Sequence, residues 1–345
     1  GLANEPVSLL AAELVNAANR IYDSRFTIYD RKTGATRKSK FGNRKLEKVF
    51  FSDDGSTALE VALKLAYEFA RRTRGAKSKP RFLSLDGAYH GDTIGAVSLG
   101  HIDLFHKAYA GMLFPTDKVM SPYCYRCAFN RAKPERADAR EYRKCNWECV
   151  GKVEQKFSAR KKRGNPYAAF VFEPLMQGAA GMIPQPAGWL KRVTDIARRH
   201  GAMLIADEVM TGFGRNGSGE REKGRKGETA NLTPAPFHPF SPASLFASHH
   251  ESVQPDFLCL AKGLTGGYLP MAATLTTQKV FDAFLGEYHE FKTFFHGHSF
   301  TGNQLGASAA LASLEILQSQ QSLQTRAQLE QAFADMKLLD TTFEQ

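Results

Sequence analysis

Short apolar runs alternate with helical hydrophobic periodicity between residues 46 and 275. Five runs predict strands at 49–51, 81–85, 168–172, 202–206 and 257–261. Between them, apolar residues recur every three or four positions, as over 58–69 and from Gly188 to a C-terminal glycine at Gly201. Near-continuous apolar strands that alternate with helices are typical of a parallel sheet covered on both faces. The pattern therefore predicts an α/β domain with a mainly parallel sheet and helices on both faces.

Two stretches interrupt this alternation. Residues 16–45 are basic and polar, and residues 216–243 are rich in Gly, Glu, Lys, Pro and Ser without periodicity. We predict that both are surface insertions. A further apolar pattern predicts a long buried helix near residues 302–318, with inward positions at Leu305, Ala309, Leu311, Leu314 and Ile316.

The domain organisation follows from this pattern. We expect one large domain over residues 1–300 and the start of a second, incomplete domain over 301–345. The chain begins with Gly1, and we expect it to be part of a longer protein.

Composition and charge exclude several classes of protein. The 345 residues are 43% hydrophobic and 23% charged, which excludes a disordered or fibrous chain. The net charge of +11 is concentrated in residues 20–45 and 71–81, and no nucleic-acid-binding signature accompanies it. No apolar run is long enough for a transmembrane helix. We therefore predict neither a nucleic-acid nor a membrane partner.

The cysteines raise a separate question. Their odd number, five, favours reduced thiols in the cytoplasm over a disulfide framework. Cys124 and Cys127 are separated by two residues, and Cys145 and Cys149 by three, which is close to the spacing of a zinc ribbon. The two interpretations are a zinc site and four reduced thiols. We assign no metal, and retain these four cysteines as the candidate ligands.

Residues that could bind a ligand follow two of the predicted strands in the first half of the chain. Gly55 and Ser56 follow the first strand just before a helix, where small residues and free amides suit an anion. The alternative is an ordinary turn with a helix cap. Tyr89 follows the second strand between glycines, which suits stacking on a flat ring or a packed loop. Ligands of parallel sheets bind at these carboxyl ends.

Two ionisable residues follow later strands. Asp207 directly follows five apolar residues and is predicted to be buried. A buried carboxylate needs a cationic or hydrogen-bonding partner, and Arg215 is one candidate. Lys262 follows the fifth strand. It is either a surface lysine or an amine that points into the cleft, where desolvation lowers its pKa. Phosphate turn, aromatic ring, buried acid and lysine together are the set expected for pyridoxal phosphate.

The residues 204–215, Leu-Ile-Ala-Asp-Glu-Val-Met-Thr-Gly-Phe-Gly-Arg, with Lys262 further on, resemble the class III aminotransferases of pyridoxal-phosphate fold type I. Residues 89–93, 263–270 and 295–303 extend the resemblance. It implies a pyridoxal 5'-phosphate enzyme that is a homodimer with shared active sites. The resemblance implies that Lys262 forms the Schiff base and that Asp207 binds the pyridine nitrogen. It implies that Gly55 and Ser56 form the phosphate turn and that the ring of Tyr89 lies beside cofactor and substrate. It also implies a loop that reaches the partner subunit's site, made of Gly297, His298 and Ser299, with Ser299 on the phosphate.

The same three motifs indicate the reaction. Within the family they are most similar to members that transfer an amino group from S-adenosylmethionine to 8-amino-7-oxononanoate in biotin biosynthesis. The resemblance also implies that aromatic and arginine contacts to the substrate lie outside this chain. Two alternatives stay open: a class III enzyme that uses ornithine, lysine or a γ-amino acid, and a catalytically silent protein that binds polyanions.

Overall fold

The computed structural model describes residues 4–19, 28–29, 36–37, 44–75, 79–132, 139–217 and 245–339, with side chains except at 28–29, 36–37 and 334–339. The helices are α1 Glu5–Asn19, α2 Gly55–Arg74, α3 Ile94–Leu99, α4 Asp103–His106, α5 Glu148–Lys162, α6 Trp189–Arg199, α7 Gln278–Asp282, α8 Gln304–Gln318 and α9 Gln320–Leu339. The strands are β1 Ile28–Tyr29, β2 Thr36–Arg37, β3 Leu46–Ser52, β4 Phe82–Leu85, β5 Asp117–Val119, β6 Ala169–Phe172, β7 Met176–Gln177, β8 Ile183–Pro184, β9 Met203–Asp207, β10 Phe257–Leu260 and β11 Ala272–Thr277.

A seven-stranded sheet lies at the centre, in the order β3-β11-β10-β9-β6-β4-β5. The five strands from β10 to β5 pair in parallel, whereas β11 runs antiparallel to both β10 and β3. Six of the seven strands therefore point the same way, and their carboxyl ends lie along one edge. The predicted α/β class with a mainly parallel sheet is confirmed.

Helices cover both faces of this sheet. Alternate strand residues face opposite sides, and both sets are apolar, so each face needs a covering layer. Phe170 and Leu204 belong to one buried cluster, which includes residues of α1, α5, α6 and α8. Val171 and Ile205 belong to a second cluster, which is built mainly on α2. Each strand of the middle of the sheet is buried on both sides, as its continuous apolar sequence predicts.

The five predicted strands correspond to β3, β4, β6, β9 and β10 to within a few residues. The predicted helix after Gly188 is α6, and its apolar positions Trp189, Val193, Ile196 and Ala197 are buried. Gly201 has a φ of +73°, the left-handed conformation that a glycine just beyond a helix end adopts. Of the seven strands of the central sheet, β5 and β11 have no predicted counterpart.

The predicted inward face of α8 is partly wrong. Leu305 and Ile316 are 72% and 66% exposed. The buried face instead presents Gly306, Ala307 and Ala310 together with Leu314. Small residues bring α8 close to α1 and to the turn after β10, so the large side chains of this pattern do not mark the packed face.

The two predicted insertions lie largely outside the described residues. In the first, residues 16–19 are not an insertion but the last part of α1, where Ala17 and Ala18 are buried. Farther along, β1 and β2 form an antiparallel pair. In the second, residues 218–244 lie outside the described ranges. Within those ranges, no helix combines the length and the hydropathy needed to cross a membrane.

Candidate active site

The site residues collect where the carboxyl ends of the parallel strands meet. In the sheet, Phe172 of β6 pairs with Ala206 of β9, and Cys259 of β10 pairs with Asp207. Residues just beyond these pairs therefore emerge side by side. This edge brings together the turn after β3, the loop after β4, the end of β9 and the turn after β10.

The turn after β3 forms a helix N-terminus with a fixed cap. Asp54 accepts a hydrogen bond from the amide of Thr57 at 2.9 Å, and the Thr57 hydroxyl oxygen accepts one from the amide of Asp54 at 3.0 Å. This capping box leaves the first-turn amides of Gly55 and Ser56 without an intrahelical partner. The hydroxyl of Ser52, just before the turn, is buried and has no hydrogen-bond partner within the described residues.

Two glycines allow the close approaches that this turn requires. A Cβ on Gly55 would lie 2.7 Å from Cγ1 of Val209, the second residue after β9. Gly91 has a φ of +115°, and a Cβ there would lie 2.0 Å from the hydroxyl oxygen of Ser56. The same oxygen accepts a hydrogen bond from the amide of Asp92 at 3.2 Å. The loop after β4 thus packs directly onto the anion turn.

Tyr89 forms one wall of an open cleft beside the turn. Its hydroxyl donates to Asp92 at 2.9 Å, and its ring stacks on His106 at 12° between ring planes. Burial, followed by the hydrogen bond to Asp92, raises the pKa of Tyr89 to about 12, so the hydroxyl stays protonated. The cleft has a volume of about 770 Å³, and its other walls include Phe105 and Met112.

Asp207 is buried and paired with a histidine. Its Oδ2 lies 2.7 Å from Nδ1 of His90, and its Oδ1 accepts the amide of Val209 at 3.1 Å. Burial lowers the pKa of His90, but the hydrogen bond and charge of Asp207 outweigh burial, so the net shift is upward. The hydrogen-bonding partner of this acid is thus His90 rather than Arg215.

Two further buried carboxyls stand at the same edge and were missed from the sequence. Glu173 follows β6, and burial raises its pKa to about 7. Glu208 accepts hydrogen bonds from the amide and hydroxyl of Ser248 and from the amide of Ala247, at 2.6–2.9 Å. Burial raises its pKa also to about 7. The signal in the sequence that could have found both carboxyls is an acidic residue at the end of a buried apolar strand.

Lys262 lies at this edge but is exposed, so the predicted desolvation of its amine is not present in the described chain. It begins the short turn Lys262–Thr265 with a φ of +44°, a conformation that costs a residue with a side chain on the order of 1–3 kcal/mol. The hydroxyl of Ser313 in α8 donates to the carbonyl of Gly263 at 3.2 Å. The turn is therefore held from α8, next to the buried side chain of Leu264.

The segment 297–299 lies near the anion turn of its own chain. Nδ1 of His298 is 3.3 Å from Oδ2 of Asp53, and Nε2 of His298 is 3.2 Å from Nε2 of His296. Gly297 and Ser299 are exposed. The structure thus brings His298 to the turn, while the reach of this segment to a partner subunit stays a prediction.

The four candidate zinc ligands are free thiols. Burial and the neighbouring thiols raise the pKa of Cys124 to about 11 and that of Cys149 to about 12. Across the described part of the chain, which includes Cys124, Cys127, Cys145 and Cys149, no three His, Cys, Asp or Glu residues are arranged to hold a metal ion. The zinc site and the four reduced thiols both stay predictions.

Comparison with known proteins defines the class. The family model described as Aminotransferase class-III matches residues 18–219 and 243–342. The chain belongs to the class III aminotransferases.

Individual relatives are more specific. The adenosylmethionine-8-amino-7-oxononanoate aminotransferase of Geobacter sulfurreducens is 46% identical over 276 residues, which make up 80% of this chain and 52% of the relative. The protein of the same name from Nitratidesulfovibrio vulgaris is 44% identical over 281 residues, 81% of this chain and 45% of the relative. The chain spans about half the length of the curated relatives it matches.

Solved structures agree with this class. The crystal structure of adenosylmethionine-8-amino-7-oxononanoate aminotransferase from Methanocaldococcus jannaschii superposes with a TM-score of 0.67 at 33% identity, over 94% of this chain and 58% of that one. An amine transaminase from an uncultivated Pseudomonas species, solved in the PLP-bound form, gives a TM-score of 0.68 at 29% identity. The superposition covers 92% of this chain and 58% of that one.

The residues present fit pyridoxal phosphate. The free amides of the anion turn and the unpartnered hydroxyl of Ser52 are donors for a phosphate. A Cβ on Gly55 would collide with Val209, so only glycine fits where the turn packs against the end of β9. Asp207, held from behind by His90, is an acceptor for a protonated ring nitrogen.

Proposed function

We propose that this chain is the cofactor-binding part of a pyridoxal-phosphate-dependent aminotransferase. The observation that carries the proposal is the buried Asp207–His90 pair at the sheet edge that also presents Lys262 and the anion turn. We further propose that S-adenosylmethionine is the amino donor and 8-amino-7-oxononanoate the acceptor, in biotin biosynthesis. The names of the relatives from Geobacter and Nitratidesulfovibrio support this choice.

The cofactor, when bound, supplies an electron sink for the bond that breaks at the substrate Cα. The backbone amides of Gly55 and Ser56 hold its phosphate at the N-terminus of α2. Asp207, which is hydrogen-bonded to His90, would accept the N–H of the ring nitrogen and so favour the protonated ring. Tyr89 lines the cleft beside the turn, and we propose that its ring lies next to the substrate.

We propose that Lys262 would hold the cofactor through its amine and would also move the proton. Its amine could remove the Cα proton of a bound substrate as a general base and deliver it, as a general acid, to the carbon on the other side of the substrate nitrogen. An exposed lysine on a strained turn has the freedom of movement that both tasks require. In the assembled enzyme, we propose that closure around the substrate desolvates this amine.

The assembly and organisation are also part of the proposal. We propose a homodimer in which Gly297, His298 and Ser299 reach the partner subunit's site, with Ser299 on the phosphate. Residues 1–300 form the large domain, and residues 301–345 begin the small one. A cytoplasmic location accords with the free cysteines among the described residues.

Substitution of Lys262 tests the attachment. Lys262→Ala is expected to abolish the visible absorbance of lysine-bound cofactor and its trapping by borohydride. Lys279→Ala, on α7 with its ammonium over the ring of Phe69, is the matched control and should retain both signals. A borohydride-reducible band that survives in Lys262→Ala would exclude this lysine and with it the proposed site.

A donor screen tests the substrate. With the cofactor bound, S-adenosylmethionine is expected to convert the cofactor to its amine form, as followed by absorbance. Ornithine, lysine and γ-aminobutyrate are the comparison donors for the alternative ω-aminotransferase function. Faster conversion by one of these three would replace the proposed donor while leaving the cofactor assignment in place.

A further inference from the structure

Glu173 is a buried carboxyl for which the proposed reaction has no role yet. The strand pairing places it beside Asp207, since Phe172 pairs with Ala206 and both acids are the next residues of neighbouring parallel strands. Side chains alternate along strands, so Glu173 and Asp207 face the same side of the sheet, and Glu208 faces the other. Glu173 is 6% exposed, and its Oε2 accepts the amide of Gly178 at 2.8 Å.

Two polar atoms in this group remain without a partner. Nε2 of His90 and Oε1 of Glu173 are both buried, and neither has a hydrogen-bond partner among the residues that the structure describes. In protonated His90, Nε2 is a donor, and a carboxylate oxygen is an acceptor. The histidine thus has Asp207 on its Nδ1 side, and the charge of Glu173 acts on the same ring.

Charge balance gives this arrangement a consequence. Counted as an ion pair, the hydrogen-bonded Asp207 and His90 carry no net charge, so a carboxylate at Glu173 would add one uncompensated negative charge, which is costly in a buried site. Glu173 therefore favours its protonated form when nothing cationic is nearby. A cationic ring against Asp207 supplies the missing positive charge, and Glu173 can then release its proton to solvent.

We propose, on the basis of the function proposed above, that Glu173 is a positioning residue that holds one proton in the unliganded site and releases it when the cationic cofactor ring binds. It lies beside Asp207 at the ends of neighbouring parallel strands, and its charge acts on the ring of His90. The buried group of Asp207, His90 and Glu173 thus changes from neutral to singly negative as the ring adds one positive charge.

The surroundings of the group allow this proton to be followed. Other titratable groups that act on His90 or Asp207 are Tyr89, His101, His106, Glu208 and Cys259. Burial raises the pKa of Tyr89 to about 12 and lowers that of His101 to about 4, so neither titrates near neutrality. Burial likewise lowers the pKa of His106 and raises that of Cys259. Glu208, whose pKa is about 7, is the matched control, because it lies on the opposite face.

The first test uses the chain without cofactor. In histidine-labelled protein, the NMR signals of His90 are expected to stay those of the protonated ring through neutral pH and to show a small step near pH 7 as Glu173 ionises. Glu173→Gln should remove that step, and Glu208→Gln should keep it. A step that persists in Glu173→Gln, or disappears in Glu208→Gln, would overturn the assignment. Should Glu173→Gln fail to fold, loss of the step in Glu208→Gln would still overturn the assignment.

The second test counts protons when pyridoxal phosphate binds. Calorimetry at pH 6 in buffers of different ionisation enthalpy should show up to one more proton released by the unchanged chain than by Glu173→Gln, with Glu208→Gln matching the unchanged chain. Equal counts in all three would refute the proton release by Glu173. Absence of binding to the unchanged chain would refute the proposed function instead, while the NMR result on His90 would stand.

Discussion

Gly55 offers a direct measure of how tightly the anion turn is built against the end of β9. In Gly55→Ala, the new methyl would lie 2.7 and 2.9 Å from the two γ carbons of Val209. Ordinary carbon contacts lie at about 3.5–4.0 Å, so both contacts are short by roughly 1 Å. Overpacking of this kind costs about 1–3 kcal/mol, and we expect about 2 kcal/mol here.

The reasoning is tested by removing the obstacle. Val209→Ala alone should cost about 1.5 kcal/mol for the two lost methyl groups. The double variant should be about as stable as Val209→Ala, because the alanine at position 55 then has room, which gives a coupling energy of about 2 kcal/mol. Free energies of unfolding come from urea titrations of the four proteins.

A matched glycine provides the control. Gly151, within α5, has open space where a Cβ would stand. Gly151→Ala is therefore expected to stabilise the chain by about 0.5–1 kcal/mol through helix propensity. Purely additive costs at positions 55 and 209 would refute the steric account of the turn.

Two further outcomes follow from the buried carboxyls and the cysteines. Burial raises the pKa of Glu208 to about 7, so the folded state binds the proton of this carboxyl more tightly than the unfolded state does. The stabilisation of the folded state by this proton is fully present below pH 4.5 and is lost as the pH rises through 7. The loss is about 3 kcal/mol, and thermal unfolding of Glu208→Gln should show a correspondingly flatter pH dependence than the unchanged chain; an unaltered slope would contradict this. For the thiols Cys124 and Cys149, whose pKa values are raised by burial, treatment with a chelator is expected to leave the melting temperature unchanged, and a fall of several degrees would indicate a structural metal.

Much of the site was predictable because strand ends concentrate ligand-binding residues. Gly55, Asp207 and Lys262 each follow a buried apolar run, and parallel pairing brings these ends to one edge. The pairing of His90 with Asp207 was not predictable, because these residues are 117 positions apart. Their contact depends on the order of β4, β6 and β9 in the sheet, which periodicity does not encode.

Strand β11 escaped prediction for a chemical reason. Thr274 and Thr276 interrupt its apolar residues, yet both are buried. Their hydroxyls donate to the backbone carbonyls of Ala58 at 2.8 Å and Asp256 at 3.0 Å. A polar residue whose hydrogen bonds are satisfied internally is compatible with the core, so a pattern of polar and apolar letters cannot separate it from a surface position.

The reversed strand β11 acts as a spacer between two chemical groups. It stands between β3, which leads to the anion turn, and β10, which leads to Lys262. Neighbouring strands are about 4.8 Å apart, so the strands that carry the two groups are held about 10 Å from each other across the sheet. A slip of β3 against β11 by two residues, which keeps each side chain on its own face of the sheet, would shift the turn by about 7 Å along the strand. Substitutions in β11 can therefore change the fit of a molecule anchored at both ends, even though β11 contributes no side chain to its chemistry.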